Sequence, residues 1–268
     1  MQLKDKYVLL TGASGGIGQA IALSLAKKGA KLLLVARHAD RLKALIDTLP
    51  NPSEHQYLCA DLTTPEGMTL LRNKSIEYLQ HNNKFSVVIN NAGTNQFRFL
   101  AQRDQASIQH EIELNLTTPI LVTQSALTWL ERPGIILNIG STFGSIGYPG
   151  YSTYCASKAG LHRFSEAMDR ELDGAGIRVL YLAPRATNTE LNSQLVTQMN
   201  QTLGNRCDKP QVVANHVVKM LTKEISAKWI GWPEKLFARI NQLLPNLVTN
   251  SIRKQQETIH RFIKQAEK

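Results

Sequence analysis

The segment Tyr154-Cys155-Ala156-Ser157-Lys158 carries two side chains whose types and spacing suit acid–base chemistry. A tyrosine and a lysine four residues apart on a helix share one face. A free phenol has a pKa near ~10, and a neighbouring ammonium favours the phenolate and brings that pKa toward neutral pH. Ser141, thirteen residues before Tyr154, offers a hydroxyl that can hold a carbonyl oxygen beside the phenol. Taken alone, the pair is equally well explained as two neighbours on a helix surface.

A glycine-rich loop, Thr11-Gly12-Ala13-Ser14-Gly15-Gly16-Ile17-Gly18, joins the first predicted strand to the first predicted helix. Glycines permit a tight turn and a close approach of backbone to a pyrophosphate, and the free N–H groups of the helix N-terminus attract phosphate. An ordinary strand–helix turn is the alternative. The position of the loop in an alternating α/β chain favours dinucleotide binding.

The residue after the second predicted strand bears on the choice of nicotinamide cofactor. An acidic side chain there would accept hydrogen bonds from a ribose 2′-OH, but this chain has Ala36-Arg37. An arginine can bind the 2′-phosphate of NADP, which a carboxylate would repel. Arg37 therefore predicts NADP(H) rather than NAD(H), the alternative being a solvated arginine at the start of a charged helix.

Short apolar runs alternate with amphipathic helical patterns along the chain. Six strands are predicted, at 7–10, 31–36, 57–60, 86–90, 134–139 and 177–183. Continuously apolar strands separated by helices indicate a parallel sheet covered on both faces. The predicted fold is a doubly wound, Rossmann-like α/β domain over residues 1–221. Residues 222–268 are predicted to form a C-terminal amphipathic helical extension that is not an independent domain.

The candidate site residues all follow predicted strands. In a doubly wound sheet the ligand crevice lies beyond the carboxyl ends of the strands, so these residues are expected to meet at one edge. In strand order they are Thr11-Gly12, Arg37, Asp61, Asn90-Asn91-Ala92-Gly93, Ser141 and the run from Pro184 to Thr189.

These motifs, in this order, resemble the short-chain dehydrogenase/reductases over roughly residues 4–191. The resemblance implies that Tyr154 donates a proton in reduction and accepts one in oxidation. It further implies that Lys158 holds the nicotinamide ribose and lowers the tyrosine pKa, that Ser141 binds the substrate oxygen, and that Asn115 supports a water-linked proton relay. The implied cofactor-binding residues are Gly12, Ser14, Gly16, Ile17, Gly18, Asp61, Leu62, Asn91, Ala92, Gly93, Tyr154, Lys158, Thr187 and Thr189.

Two positions depart from the family pattern. The usual Pro-Gly after the sixth strand reads Pro184-Arg185, which changes the loop or brings a cation toward the substrate. Gly15 also stands where some NADP-preferring relatives carry a basic residue. The NADP prediction therefore depends mainly on Arg37.

The composition narrows the remaining classes of protein. The net charge is +10, from 31 basic and 21 acidic residues, but no nucleic-acid motif accompanies it. Three cysteines and seven histidines form no disulfide framework or metal-ligand spacing, so no metal is predicted. No apolar run approaches the roughly 18 residues of a membrane span. We expect a cytoplasmic homodimer or homotetramer that acts on a small carbonyl compound or alcohol.

The part of the chain after residue 191 resembles the family less closely. Residues 192–208 are polar and predict a mobile lid, and 251–268 predict a solvated helix. Residues 222–268 carry nine Lys/Arg against four Asp/Glu, and their Trp, Phe and Leu residues interleave with these charges. Such a segment packs on the core, lines an apolar substrate pocket or forms a subunit interface; alternatively it makes peripheral contact with a membrane.

The leading hypothesis is an NADP(H)-dependent oxidoreductase that interconverts a ketone or aldehyde and an alcohol, with Tyr154 as acid and base. One alternative is an NADP-binding sensor or scaffold without chemistry, against which the set Asn115, Ser141, Tyr154 and Lys158 argues. Another is a membrane-associated reductase of a lipid substrate.

Overall fold

The strands of the computed structural model, which describes residues 1–266, form one parallel sheet in the order β3-β2-β1-β4-β5-β6-β7. The strands are β1 (Tyr7–Thr11), β2 (Lys31–Ala36), β3 (Gln56–Cys59), β4 (Phe85–Asn90), β5 (Gly134–Ile139), β6 (Ile177–Ala183) and β7 (Ala227–Trp229). The chain crosses from one half of the sheet to the other between β3 and β4. The predicted doubly wound parallel sheet is confirmed.

Helices cover both faces of this sheet. They are α1 (Gly16–Ala26), α2 (Ala39–Asp47), α3 (Pro65–Gln80), α4 (Gln105–Ile112), α5 (Thr118–Ala126), α6 (Ser152–Glu171), α7 (Gln194–Thr202), α8 (Pro210–Lys223), α9 (Glu234–Leu243), α10 (Pro245–Lys254) and α11 (Gln256–Gln265). None of them, within residues 1–266, has the length and apolarity required to cross a membrane.

The alternation of side chains along each strand divides the core into two layers. Leu10 of β1 faces the layer that contains Leu25 of α1, while Leu9 faces the layer that contains Leu71 of α3. Every residue of β4 and β5 is buried, as expected of central parallel strands with helices on both sides. This rigid central sheet fixes the positions of the residues that follow its strands.

The seventh strand was not predicted from the sequence. β7 spans only three residues and pairs with β6 through contacts such as Ala183 with Trp229. A run of three partly exposed residues is too short to give a recognisable strand pattern. The segment after residue 221 therefore contributes an edge strand to the sheet as well as helices α9, α10 and α11.

The prediction of a solvated helix at 251–268 is wrong for the described residues. Residues 251–254 complete α10, and α11 buries Ile259, Phe262 and Ile263 in an apolar cluster. Their spacing of three and four places them on one face of the helix, which the surrounding charged residues obscured in the sequence. Residues 267–268 lie outside the described part of the chain.

Candidate active site

The glycine loop is shaped by close backbone contacts. At Gly12, where φ is +62°, a Cβ would stand 2.7 Å from the Cα of Ala92. At Gly18 a Cβ would stand 2.2 Å from the carbonyl oxygen of Gly12. Helix α1 begins at Gly16 without a side-chain cap or an acidic residue in its first turn. The loop thus leaves helix N–H groups available, as a phosphate of a dinucleotide requires.

The ends of β1 and β4 are joined by hydrogen bonds. The Thr11 hydroxyl accepts the backbone N–H groups of Asn91 at 3.0 Å and Ala92 at 3.1 Å. The Asn91 side-chain amide donates to the carbonyls of Thr11 and Gly12, each at 3.1 Å. At Gly93 a Cβ would stand 3.0 Å from the side-chain oxygen of Asn115. These contacts keep the mid-sheet backbone flat against the crevice in which a cofactor would lie.

The residues at the far end of the crevice lie after β2 and β3. Arg37 is exposed, and its guanidinium makes no hydrogen bond or ion pair with residues 1–266. Burial raises the pKa of Asp61, but hydrogen bonds from Thr63 and the charge of Arg37 outweigh it and hold that pKa below its ordinary value. The carbonyl of Leu62 accepts the Thr118 hydroxyl at 3.3 Å. Arg37 is therefore available to a ligand phosphate.

Ser141, Tyr154 and Lys158 meet at the carboxyl end of β5. The Ser141 hydroxyl lies beside the Tyr154 side chain at the cavity and accepts the N–H of Phe143 at 3.1 Å. The Lys158 Nζ lies 5.9 Å from the centre of the Tyr154 ring and donates to the carbonyl of Ile139 at 3.1 Å. Helix α6 presents Tyr154 and Lys158 on one face, as their spacing predicts. The arrangement can hold a carbonyl oxygen between two hydroxyl groups.

The pKa values of the two helix residues differ from the sequence expectation. Burial raises the pKa of Tyr154 to about 12, against the lowering effect of the neighbouring Ser141 hydroxyl. Burial also lowers the pKa of Lys158 to about 8, although the charge of Glu111 acts in the opposite direction. The ammonium therefore does not bring the phenol toward neutrality here, because burial disfavours both charged forms. At neutral pH the phenol is protonated, which is the form that can donate.

Asn115 lies in a π-helical segment, Glu113–Thr117, between α4 and α5. Its side-chain amide donates to the Thr94 carbonyl at 2.8 Å and the Ser157 hydroxyl at 3.2 Å, and its side-chain oxygen accepts the Thr94 N–H at 2.9 Å. Pro119 has no N–H to donate to the Asn115 carbonyl, as a regular α-helix would require. The π turn accommodates that missing bond and orients the Asn115 side chain beside α6.

Two supporting groups were missed in the sequence. Tyr181 of β6 places its hydroxyl 3.4 Å from the N–H and 3.3 Å from the carbonyl of Ser141. Its ring fills the space next to Gly140, where a Cβ would stand 2.1 Å from the Tyr181 hydroxyl oxygen. The close contact explains why a glycine precedes Ser141. The two hydrogen bonds of the Tyr181 hydroxyl hold the Ser141 backbone in place. Neither residue belongs to a local motif.

The second missed group is a buried ion pair behind helix α6. Glu111 accepts hydrogen bonds from the N–H of Gln96 at 3.1 Å and from Arg103, which also contacts the Thr153 hydroxyl. Both charged side chains are almost fully buried. Glu111 precedes Asn115 by four residues on the same helical face, and that spacing is the only sequence signal for it. The pair ties α4 to the start of α6 next to Tyr154.

An apolar cavity of about 300 Å³ opens above Ser141 and Tyr154. On the cofactor side it is bordered by Ile17 and Thr189. The segment 192–208, predicted as a lid, contains α7 and forms one wall, and the extension forms another. The apolar residues of these two walls are Val196, Met199, Phe237, Val248 and Ile252. The extension therefore lines the cavity, which was one of the alternatives for it.

The loop after β6 connects the two sides of the cavity. Thr187 donates its hydroxyl to the carbonyl of Arg185 at 3.0 Å, and its own carbonyl accepts the Asn192 amide at 2.8 Å. A methyl carbon of Thr189 would lie 2.9 Å from a Cβ at Gly16, so this threonine is seated on the glycine loop. Ser14, in that loop, offers its carbonyl to Gln19 at 2.8 Å.

Arg185, the departure from the family pattern, is held by two carboxylates. Its guanidinium pairs with Asp208 through bonds of 2.9 and 2.7 Å and with Glu234 at 3.2 Å, and it donates to the Trp232 carbonyl at 3.2 Å. It therefore joins the β6 loop to the end of the lid segment and to the start of α9. Within residues 1–266, no group of three His, Cys, Asp or Glu side chains is arranged to hold a metal ion.

The chain is similar to known proteins over most of its length. A family model described as short chain dehydrogenase matches residues 6–200. The 3-oxoacyl-(acyl-carrier-protein) reductase of Pseudomonas aeruginosa is 32% identical over 207 residues, which cover 76% of this chain and 82% of that protein. An uncharacterized oxidoreductase of Bacillus subtilis, YxnA, is 27% identical over 262 residues, or 94% of this chain and 73% of that protein.

Solved structures with the same fold include a short-chain dehydrogenase/reductase of Brucella melitensis, with a TM-score of 0.79 and 23% identity over 87% of this chain and 98% of that one. A 3-ketoacyl-(acyl-carrier-protein) reductase of the same organism, complexed with NADH, has a TM-score of 0.76 and 22% identity over 87% of this chain and 99% of that one. With the family model covering well over half of the sequence, the chain belongs to the short chain dehydrogenase family.

Proposed function

We propose that the protein is an NADP(H)-dependent oxidoreductase that interconverts a ketone or aldehyde on an apolar molecule and the corresponding alcohol. The observation that carries the proposal is the convergence of Ser141, Tyr154 and Lys158 beneath an apolar cavity at the carboxyl edge of the sheet. A protein that only bound the cofactor would have no need of a buried phenol and hydroxyl facing that cavity.

The residues of this chain would act on the carbonyl oxygen. A bound nicotinamide cofactor supplies or accepts the hydride. The Ser141 hydroxyl donates a hydrogen bond to the oxygen as negative charge develops there, and Tyr154, protonated at neutral pH, delivers the proton. In the oxidation direction Tyr154 must first lose its proton. Lys158 would hold the nicotinamide ribose, and Asn115 would support a water-linked proton relay.

Support for NADP(H) comes from the charge at the ribose end of the crevice. Arg37 has no partner among residues 1–266, and an acidic residue is absent from the position directly after β2. A guanidinium binds a phosphate through paired, charge-assisted hydrogen bonds. The proposed substrate is apolar because the residues of the lid and of the extension that face the cavity include Val196, Phe237 and Ile252.

The first test replaces the proton donor. Tyr154→Phe should lower turnover by roughly 100-fold or more, because general acid catalysis contributes at least that much, while NADPH binding persists. Tyr7→Phe, at the opposite end of the sheet, is the matched control and should retain turnover. Full turnover in Tyr154→Phe would remove the catalytic assignment.

The pH dependence of the reaction is a separate test of Tyr154. Oxidation of the alcohol should be faster at pH 9 than at pH 7, because the phenolate fraction grows as the pH approaches the high pKa of Tyr154.

The second test addresses the cofactor. Wild type should prefer NADPH to NADH, and Arg37→Asp should reverse the preference. The control Arg72→Asp, in the middle of α3, makes the same charge change and should leave the preference unaltered.

The third test addresses the substrate. A series of aldehydes and ketones with lengthening alkyl chains should show rising kcat/KM, since each buried methylene adds transition-state binding. Tight NADPH binding without turnover of any member would instead favour a sensor or scaffold.

A further inference from the structure

The exposed apolar residues of this protein are concentrated on the extension. Residues 1–266 contain eleven large apolar side chains that are substantially exposed, and six of them fall between 232 and 247. Leu243 is 82% exposed and Trp232 is 65% exposed. The other four are Leu236, Phe237, Leu244 and Leu247. A cluster of this kind on a surface marks an interaction site rather than a random distribution.

Helix α9 has two distinct faces. Ala238 is buried, Asn241 donates to the Ser145 carbonyl at 2.9 Å, and Phe237 borders the cavity, so these residues define the inner face. Leu236 and Leu243, seven residues apart, lie on the opposite side of the helix and point to solvent. The outer stripe continues into Leu244 and Leu247 at the α9–α10 corner. One face of α9 therefore lines the substrate cavity, and the opposite, apolar face has no partner within residues 1–266.

Positive charge flanks the outer stripe. From residue 227 to residue 256 the chain contains five Lys/Arg and one acidic residue, Glu234, which is already paired with Arg185. Burial and the charges of three nearby lysines lower the pKa of Lys228, which indicates an uncompensated basic cluster. The three are Lys219, Lys223 and Lys235. Lys235 and Arg239 lie beside Leu236 on the outer half of α9.

We propose that the outer face of α9 and the α9–α10 corner form a docking surface for an anionic phospholipid membrane. The leucine side chains that protrude at this corner, and the exposed Trp232 just before α9, suit insertion into the headgroup region, and flanking lysines bind acidic headgroups. Because the inner face of the same helix lines the cavity, docking brings this wall of the cavity to the lipid surface. The proposal concerns binding alone and does not require the proposed reaction.

A second copy of the chain fits this surface less well. A twofold contact through one patch would bring the Lys228 and Lys235 cluster of each copy close to its equivalent, and the protein already carries a net charge of +10. Like charges in such a contact repel. An acidic protein would match the charge, but its charged surface would leave the protruding leucines without an apolar partner. The membrane is therefore the occupant that suits both the apolar side chains and the charge.

The test is flotation of the full-length protein with phosphatidylcholine vesicles that contain or lack phosphatidylglycerol. Wild type should bind the anionic vesicles, and binding should weaken with added salt. The double variant Leu236→Glu/Leu243→Glu should lose at least about tenfold in affinity, since it removes apolar insertion and adds negative charge to the surface. Lys228→Gln/Lys235→Gln should lose about tenfold or more, in keeping with the contribution of each lysine near an anionic surface.

The matched control is Leu70→Glu/Leu100→Glu, which changes the same number of exposed leucines and the same charge elsewhere on the protein. It should bind the anionic vesicles within about twofold of wild type. Quenching of Trp232 fluorescence by brominated lipid, absent in Trp232→Phe, should report insertion directly. Equal loss in both leucine pairs, or no vesicle binding by wild type, would overturn the proposal. So would a dimer that Leu236→Glu/Leu243→Glu converts to monomers, which would assign the face to a second copy.

Discussion

The cofactor side and the substrate side of the cavity are held in place by different kinds of contact. On the cofactor side, backbone lies directly against backbone, and at Gly18 a side-chain carbon would come within 2.2 Å of the Gly12 carbonyl. On the substrate side the contacts are made by side chains. They are the ion pairs of Arg185 with Asp208 and Glu234, and the apolar cluster around α11. Backbone contacts leave no freedom for substitution, whereas side-chain contacts can be exchanged. The family model covers residues 6–200 and ends before Asp208, Glu234 and α11 of the substrate side.

The largest effect is expected on the cofactor side, from Gly18→Ala. Alanine ordinarily stabilises a helix by roughly 1 kcal/mol relative to glycine. Here the added carbon would overlap the Gly12 carbonyl, and the energetic cost of this overlap exceeds that gain. We expect the free energy of unfolding to fall by about 3 kcal/mol or more and NADPH binding to be lost. Urea denaturation and NADPH fluorescence titration measure the two effects.

Gly15→Ala is the matched control in the same loop. Its φ is −80°, and the added carbon would lie at an ordinary distance of 3.6 Å from the Gly12 carbonyl. It should change the free energy of unfolding by less than about 0.5 kcal/mol. If both alanine variants behaved alike, close backbone approach would not be what distinguishes the cofactor side.

The same difference in contacts explains what could be predicted from the sequence. Strands β5 and β6 were predicted at their observed bounds because most of their residues are apolar, and parallel topology then places Ser141 and the 184–189 loop at one edge. The partners of Arg185 lie 23 and 49 residues further along the chain, so no local pattern reveals them. β7 is too short to show a period. Tertiary contacts of this kind determine the substrate side.

An intermediate effect is expected on the substrate side, from Arg185→Met. Without the guanidinium, Asp208 and Glu234 face each other unpaired, and the β6 loop loses its connection to the lid segment and to α9. KM for the substrate should rise roughly tenfold, equivalent to about 1.4 kcal/mol, with little change in NADPH affinity. Steady-state kinetics with the best substrate of the carbonyl series and NADPH titration separate the two.

Arg178→Met, in the strand that precedes the Arg185 loop, provides the control. Arg178 forms a comparable two-bond ion pair with Asp169, at 2.8 and 3.0 Å, but it lies away from the cavity. It should cost some stability and leave KM unchanged. A similar rise in KM in both variants would mean that general loosening of β6, rather than the junction at Arg185, controls the cavity.

The smallest effect, and the one with the most informative sign, is expected from Tyr148→Phe. Tyr148 lines the cavity and stacks on Phe143 at 4.9 Å, and its buried hydroxyl has no hydrogen-bond partner within residues 1–266. Burial of this unpaired group opposes folding, so its removal should raise the free energy of unfolding by about 1 kcal/mol. Tyr181→Phe, which removes a hydroxyl bonded to the Ser141 backbone, should lower it instead. A loss of stability in Tyr148→Phe would show that the hydroxyl is paired in solution. A gain identifies a buried polar group that the fold does not use.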